Sequence, residues 1–206
     1  MAESRAKRAI RYGKYVLQWI FLEKLRGLDF TMRDTSLLTE TGGVLHGYSK
    51  TDEKHAKEIF QRLEIDGQKR LLDIGCGKGA FLKEAAKEPF GDLAGIEYSD
   101  KIADIAKRNF RRMGLSEKVR IYQGDAAEFQ DYQRYNVFYF FNPFGKEVME
   151  KVMKRIVRDQ KEKSWIILHH PTCAAIVESY GGNMTCRIFD PVKSYETIIY
   201  ELEMRE

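Results

Sequence analysis

Apolar residues fall along this chain in two alternating patterns. Short β-prone runs bounded by turn residues occur at 70–74, 92–97, 119–123, 135–141 and 164–169. Between them the spacing changes to three and four. Ala56, Ile59, Phe60 and Leu63 form one such stripe, and Phe81, Leu82, Ala85 and Ala86 another over 79–88. Ile102, Ile105, Ala106, Phe110 and Met113 follow over 100–113, then Val148, Met149, Val152, Met153, Ile156 and Val157 over 145–159. The first pattern predicts buried strands and the second helices with one apolar face. A further helix is expected over 171–180. Residues 183–190 and 195–202 read as two strands with no room for a helix between them, so they should pair antiparallel. Strand–helix alternation predicts an α/β fold, a doubly wound parallel sheet with helices on both faces, made mixed by the terminal hairpin.

Upstream of residue 51 the pattern differs. Residues 4–27 read as a helix, and 15–22 are apolar apart from Gln18. That run is too short to span a bilayer, and Glu23, Lys24 and Arg26 follow it with no small-residue cleavage site, so a targeting segment is rejected. Residues 28–50 are a polar connection containing Gly42, Gly43 and Gly47, of the length that often serves as a lid. His46 and Tyr48 are its candidate functional side chains. The expected organisation is an N-terminal helix and lid segment (1–50) followed by a Rossmann-like domain (51–206).

Charge sharpens this division. Of 206 residues, 32% are charged and the net charge is +4. Residues 1–26 hold seven basic and two acidic residues, a net +5, which leaves about −1 on the rest. The body is not a cationic surface for duplex nucleic acid. The preferred reading of the N-terminal segment is a helix docked on the domain. The sharper alternative is a basic amphipathic segment meeting RNA, a membrane surface or an acidic partner. Cys76, Cys173 and Cys186 show neither zinc spacing nor a paired framework, which points to a reduced, cytoplasmic setting.

The candidate chemistry sits at the strand ends, where ligands of such sheets bind. The first strand runs into Gly75, Gly77 and Gly79, whose spacing lets the backbone take positive φ and lets a ligand approach closely. Asp73, Glu97, Asp125 and Asn142 end successive strands, and His169 and His170 the fifth. Glu97, 22 residues after Gly75, suits a pair of ribose hydroxyls. Asp125 could accept from an adenine amine beside a backbone N–H of Ala126, or be a turn residue. Asp73 could meet a ligand's ammonium, or cap the glycine turn. His169-His170-x₂-Cys173 brings no carboxylate at close spacing, so no metal is expected.

The segments LDIGCGKG, GIEYSD, GDAAEF and YFFNPF, in this order and spacing over about residues 51–202, resemble class I S-adenosylmethionine-dependent methyltransferases. The resemblance implies a seven-stranded sheet with its last strand reversed. It implies that Asp73, Gly75, Cys76, Gly77 and Gly79 surround the methionine part of S-adenosylmethionine (and of the product S-adenosylhomocysteine). It implies Glu97 on the ribose, Tyr98 on the adenine face, and Asp125 and Ala126 at the adenine. Asn142-Pro143-Phe144 resembles the Asn/Asp-Pro-Pro-aromatic motif of enzymes that methylate planar amines, but lacks the second proline. The other reading of that segment is a strand-end turn with Phe144 in the core. Asn142, Tyr48 and His169 are the catalytic candidates.

The leading expectation is therefore methyl transfer to an acceptor the sequence does not name, an amine of a small molecule, RNA or a protein side chain. RNA would have to be met by the basic N-terminal segment and is not favoured. The alternative is a methyltransferase-like binding or scaffold protein without turnover. A nicotinamide oxidoreductase is disfavoured by the G-x-G-x-G spacing and the reversed hairpin.

Overall fold

A computed structural model describes residues 21, 23–31, 50–192 and 194–203. Most of the expected N-terminal helix, His46 and Tyr48 lie outside the described residues. Seven strands form one sheet in the order β3-β2-β1-β4-β5-β7-β6. They are β1 (Arg70–Ile74), β2 (Asp92–Glu97), β3 (Val119–Gln123), β4 (Val137–Phe141), β5 (Ser164–His169), β6 (Asn183–Asp190) and β7 (Tyr195–Leu202). Strand β7 runs antiparallel to both neighbours, and the pairs from β3 to β5 are parallel. The mixed sheet with a reversed last strand is as the sequence pattern and the resemblance implied.

Among the described residues, five helices cover it: α1 (Glu53–Leu63), α2 (Ala80–Ala85), α3 (Asp100–Arg112), α4 (Lys146–Asp159) and α5 (Ala174–Ser179). Helix α2 is shorter than expected. After Ala85 the N–H groups of Lys87 and Glu88 bond three residues back instead of four, and Pro89 follows, which disfavours helix in the residue before it. Asp52 caps α1, its Oδ1 accepting from the N–H groups of Lys54 (3.0 Å) and His55 (3.4 Å).

Strand alternation sorts the core into two layers. Leu72, Ile74, Phe138, Phe140, Ile166 and Leu168 face α4 and α5, meeting Met149, Val152, Met153 and Ile156. Leu71, Val137, Tyr139 and Ile167 face α1, α2 and α3, meeting Ile59, Phe60, Phe81 and Phe110. The Met and Val stripe of α4 is thus core, as its spacing suggested. Strand order reverses between β1 and β4, so the crevice beyond their carboxyl ends is the topological switch point.

The chain before α1 is tied to this crevice. Lys24–Arg26 is a 3-10 turn, ended by Gly27 at φ +66°, so the expected helix does not run through residue 26. Glu23 accepts from the backbone N–H groups of Phe30 and Thr31, each at 2.9 Å, and from the Thr31 hydroxyl. Asn109, fully buried on α3, accepts from Asp29 N–H (2.9 Å) and donates to the carbonyls of Asp29 (2.9 Å) and Lys78 (3.1 Å). Lys78 Nζ, itself buried in the glycine turn, meets both Asp29 carboxylate oxygens at 2.9 and 3.0 Å. Asn109→Ala would leave three backbone groups without this partner. We expect a loss of about 2 kcal/mol, read by denaturant unfolding as a lower midpoint with unchanged slope.

Candidate functional site

Three backbone constraints shape the turn after β1. The N–H groups of Gly75 and Cys76 both bond to Ile96 O, at 2.9 and 3.0 Å, and Gly79 N–H closes onto Cys76 O at 2.9 Å. Gly75 (φ +78°) and Gly79 (φ +85°) lie where L side chains are strained. They also lie where a Cβ has no room: it would come within 2.5 Å of Pro143 at Gly75 and within 2.5 Å of the Phe110 ring at Gly79. The glycine turn therefore packs directly on the chain leaving β4, and the two sequence motifs are neighbours across the switch point.

Glu97 ends β2 beneath this turn. Its Oε2 accepts from Gly77 N–H at 3.0 Å and its Oε1 from Ser99 N–H at 2.9 Å. Each oxygen keeps a second lone pair for a hydroxyl donor. Burial pushes its pKa up, and the backbone N–H groups oppose that. Asp73 differs. It is 3% exposed, yet its carboxylate has no hydrogen-bond partner among the described residues, and burial together with the nearby Glu97 holds its pKa well above the usual carboxylate range. A buried carboxylate left in this state is what an incoming ammonium group would satisfy.

The remaining cofactor candidates are placed as follows. The Cys76 side chain packs toward Gly95, and burial raises its thiol pKa well above the ordinary value, so it fills space rather than reacting. Tyr98 is 51% exposed beside Glu97. Asp125 is exposed and its Oδ1 accepts from Ala127 N–H at 2.8 Å, so the turn role is realised. Ala126 is buried, with its carbonyl taking the Tyr132 hydroxyl at 2.8 Å.

At the β4 and β5 ends the structure pairs Asn142 with His170. Asn142 Nδ2 lies 3.3 Å from His170 Nδ1, and Asn142 Oδ1 accepts from the Thr172 hydroxyl at 2.6 Å. Both Asn142 (φ +40°) and His170 (φ +57°) hold left-handed backbone, a conformation that costs a non-glycine residue about 1 kcal/mol or more and clusters at functional sites. The His170 ring stacks on Tyr195 at 4.1 Å. A small cleft beside them is lined by Phe140, Asn142, Phe144, Leu168, Pro171 and Thr172, among others. His169, the histidine singled out from the sequence, is instead fully buried and turned into the sheet, bonded through Nδ1 to Thr197 Oγ1 at 2.7 Å. Successive strand residues face opposite ways, and His170 is the one that reaches Asn142. Phe144 is buried and packs edge-on against Phe140 at 6.2 Å. Phe144 thus packs in the core, as the strand-end reading expects, and also lines the cleft. Sequence reasoning did not find Lys78 and Asn109 as supports of the turn. The only trace in the sequence was a lysine inside the glycine run.

Residues 71–162, from β1 through α4, match the methyltransferase domain family. Over that stretch the chain is similar to methyltransferase domains. The match takes in the glycine turn, Glu97, Asp125 and Asn142 and stops short of β5. Among curated relatives, this domain is 31% identical over 72 residues to a demethylmenaquinone methyltransferase of Lactobacillus johnsonii, covering 34% of this chain and 30% of that protein. It is 31% identical over 120 residues to a sterol 4-C-methyltransferase of Caenorhabditis elegans, covering 54% and 34%. The chain thus spans about a third of the length of these relatives. In fold it is similar to an RNA methyltransferase of Salinibacter ruber in complex with S-adenosyl-L-homocysteine, with a TM-score of 0.58, 18% identity, and coverage of 77% of this chain and 95% of that one.

The state of Asp73 gives a test on the protein without ligand. An acid whose folded pKa is raised binds more protons folded than unfolded, so its contribution favours the fold at low pH and is lost as pH rises through the raised value. Asp73→Asn should therefore stabilise the ligand-free protein at pH 7 relative to wild type. The difference in unfolding free energy should shrink toward pH 4, as measured by denaturant unfolding across that range.

Proposed function

We propose that the protein transfers a methyl group from S-adenosylmethionine to a nucleophile held at the rim between Asn142 and His170. The observation that carries this reading is the Asp73 carboxylate, buried and without a hydrogen-bond partner among the described residues, beside the glycine turn and Glu97. This donor set fits the cofactor. Asp73 would take its ammonium group, Glu97 its ribose hydroxyls through the unused lone pairs, and the exposed Tyr98 ring its adenine face, with Asp125 and Ala126 at the adenine edge. When bound, the cofactor supplies a sulfonium-activated methyl group open to in-line displacement. The protein's share of the chemistry is then positioning and exclusion of water.

Asn142 and His170 would orient the acceptor. With the Asn142 amide as placed, its Nδ2 donates to His170 Nδ1, which puts the imidazole proton on Nε2. A half-turn of the amide reverses both roles and leaves Nε2 bare, the state that takes a proton from a neutral nucleophile. Acceptor specificity in this reading resides in residues past 162, where the family match ends: His170, Thr172 and the β6–β7 hairpin. The relatives named above are, by name, methyltransferases of demethylmenaquinone and of a sterol. Three free cysteines support a reducing, cytoplasmic location. No helix among the described residues is long and apolar enough to cross a membrane.

S-adenosylmethionine and S-adenosylhomocysteine at a hundred times their dissociation constants should each stabilise the protein by about 2.7 kcal/mol, while reduced nicotinamide dinucleotide should not. Asp73→Asn and Glu97→Ala should weaken both ligands by roughly ten- to a hundredfold, the scale of one charge-assisted contact. Absence of a shift with either ligand would remove the proposal. Transfer itself is read with methyl-labelled cofactor against RNA, protein and small-molecule fractions. Label should enter one of them, and binding without transfer to any would favour the scaffold reading. On the labelled fraction, Asn142→Ala and His170→Ala should each lower kcat by about a hundredfold or more with cofactor affinity kept, as measured by initial rates and calorimetry.

A further inference from the structure

On the α1 face of the sheet, away from Asn142 and His170, a second polar cluster is closed off from solvent. His55 stands in the first turn of α1, His169 ends β5, and Asp190 ends β6. All three are buried. Each can offer one donor atom such that the three lie within 4.8 Å of one another. His169 Nε2 and Asp190 Oδ2 are 3.6 Å apart, longer than a charge-assisted hydrogen bond and close to the roughly 3.3 Å that separates two ligands of a tetrahedral zinc-class ion. His55 Nδ1 is buried with no hydrogen-bond partner among the described residues.

Thr197 on β7 supplies the outer support. Its Oγ1 lies 2.6 Å from His55 Nε2 and 2.7 Å from His169 Nδ1. A hydroxyl can accept from two N–H donors at once. If both rings donate to it, His55 Nδ1 and His169 Nε2 are bare together, the tautomers that two imidazole ligands require. Metal-bound histidines characteristically donate their second N–H in this way, which fixes tautomer and ring orientation. Asp190 is anchored too, its Oδ1 accepting from Val192 N–H at 2.8 Å.

We propose that His55, His169 and Asp190 bind one divalent transition-metal ion of the zinc class, with Thr197 orienting both imidazoles. Two nitrogens and one carboxylate oxygen make a borderline donor set, which suits zinc and its neighbours over calcium or magnesium. The ion clamps α1 onto the ends of β5 and β6, and closing the cluster around it needs a side-chain contraction of about 1.5 Å at its widest pair. The absence of a nearby carboxylate in the linear run around His169 argued against a metal. Asp190 and His55 reach His169 only through the fold, the latter across 114 residues of chain.

The test uses the full chain without an affinity tag. The protein is stripped with a chelator and titrated with zinc chloride, then with cobalt chloride. One equivalent of zinc should bind, the midpoint of thermal unfolding should rise, and cobalt should give the visible absorption bands of a four-coordinate ion. Asp190→Asn should abolish the cobalt bands. Thr197→Val, which keeps the shape and removes the shared acceptor, should weaken zinc by about ten- to a hundredfold. Less than one equivalent, six-coordinate cobalt spectra, or zinc affinity unchanged in both variants would each overturn the proposal. Binding of S-adenosylmethionine is measured on the same samples, so loss of the metal and loss of the cofactor are read separately.

Discussion

The carboxylate of Glu97 holds the turn on which the site is built. Gly77 N–H reaches it at 3.0 Å while Gly75 and Cys76 bond to Ile96 one residue earlier on β2. Three successive anchors thus fix a stretch of backbone that must bend through positive φ. Because the turn is fixed, Gly75 can lie against Pro143 without a Cβ and Gly79 against Phe110. Because Lys78 is buried within it, Asp29 and Asn109 can draw the N-terminal segment onto α3. The cost is a carboxylate moved into low dielectric, which charge-assisted backbone hydrogen bonds offset in part.

Much of the fold was legible because it rests on periodicity. The runs at β1, β2 and β5 and most of the stripes of α1, α3 and α4 bury what their spacing says they bury, while β3, at the sheet edge, buries only Val119. The reversed β7 was legible from chain length alone, since four residues between two strands leave no space for a crossover. Position at a strand end was also enough to bring Asp73, Glu97 and Asn142 into one crevice. What strand position cannot specify is the direction of a side chain past the last paired residue. His169 and His170 are adjacent, and one is sealed into the α1 face while the other meets Asn142. Phe144 likewise follows its apolar neighbours into the core. Supports built from distant chain, such as Asn109 on Lys78 or His55 on Thr197, leave no spacing to read.

Asp73 and His55 mark two buried polar clusters on one face of the sheet, and Tyr139 stands between them. It pairs in register with Asp73 and Ile167 and stacks on Phe81 at 3.6 Å. Its hydroxyl meets Thr51 at 2.6 Å, just before the Asp52 cap. Burial and the negative charges of Asp73 and Asp190 push its pKa well above that of a free phenol, so it remains a neutral hydrogen-bonding group. A phenylalanine there would leave the Thr51 hydroxyl buried without this partner.

Helix α1 therefore carries two roles that a purely apolar helix would not. Its apolar face, Ile59, Phe60 and Leu63, supplies the packing. Its first turn and cap region place Thr51 over Tyr139 and His55 over Thr197, so the same few residues touch the central strands and the reversed strand. Buried polar contacts contribute little net stability compared with apolar packing of the same volume, but they are directional. Ile59 and Phe60 would tolerate a small slide of α1 along the sheet, whereas the two hydroxyl contacts would not survive a shift of an ångström. The chain before α1 is fixed at Asp29 and the chain after it enters β1. A helix held in register at its first turn thus also sets where the chain enters β1.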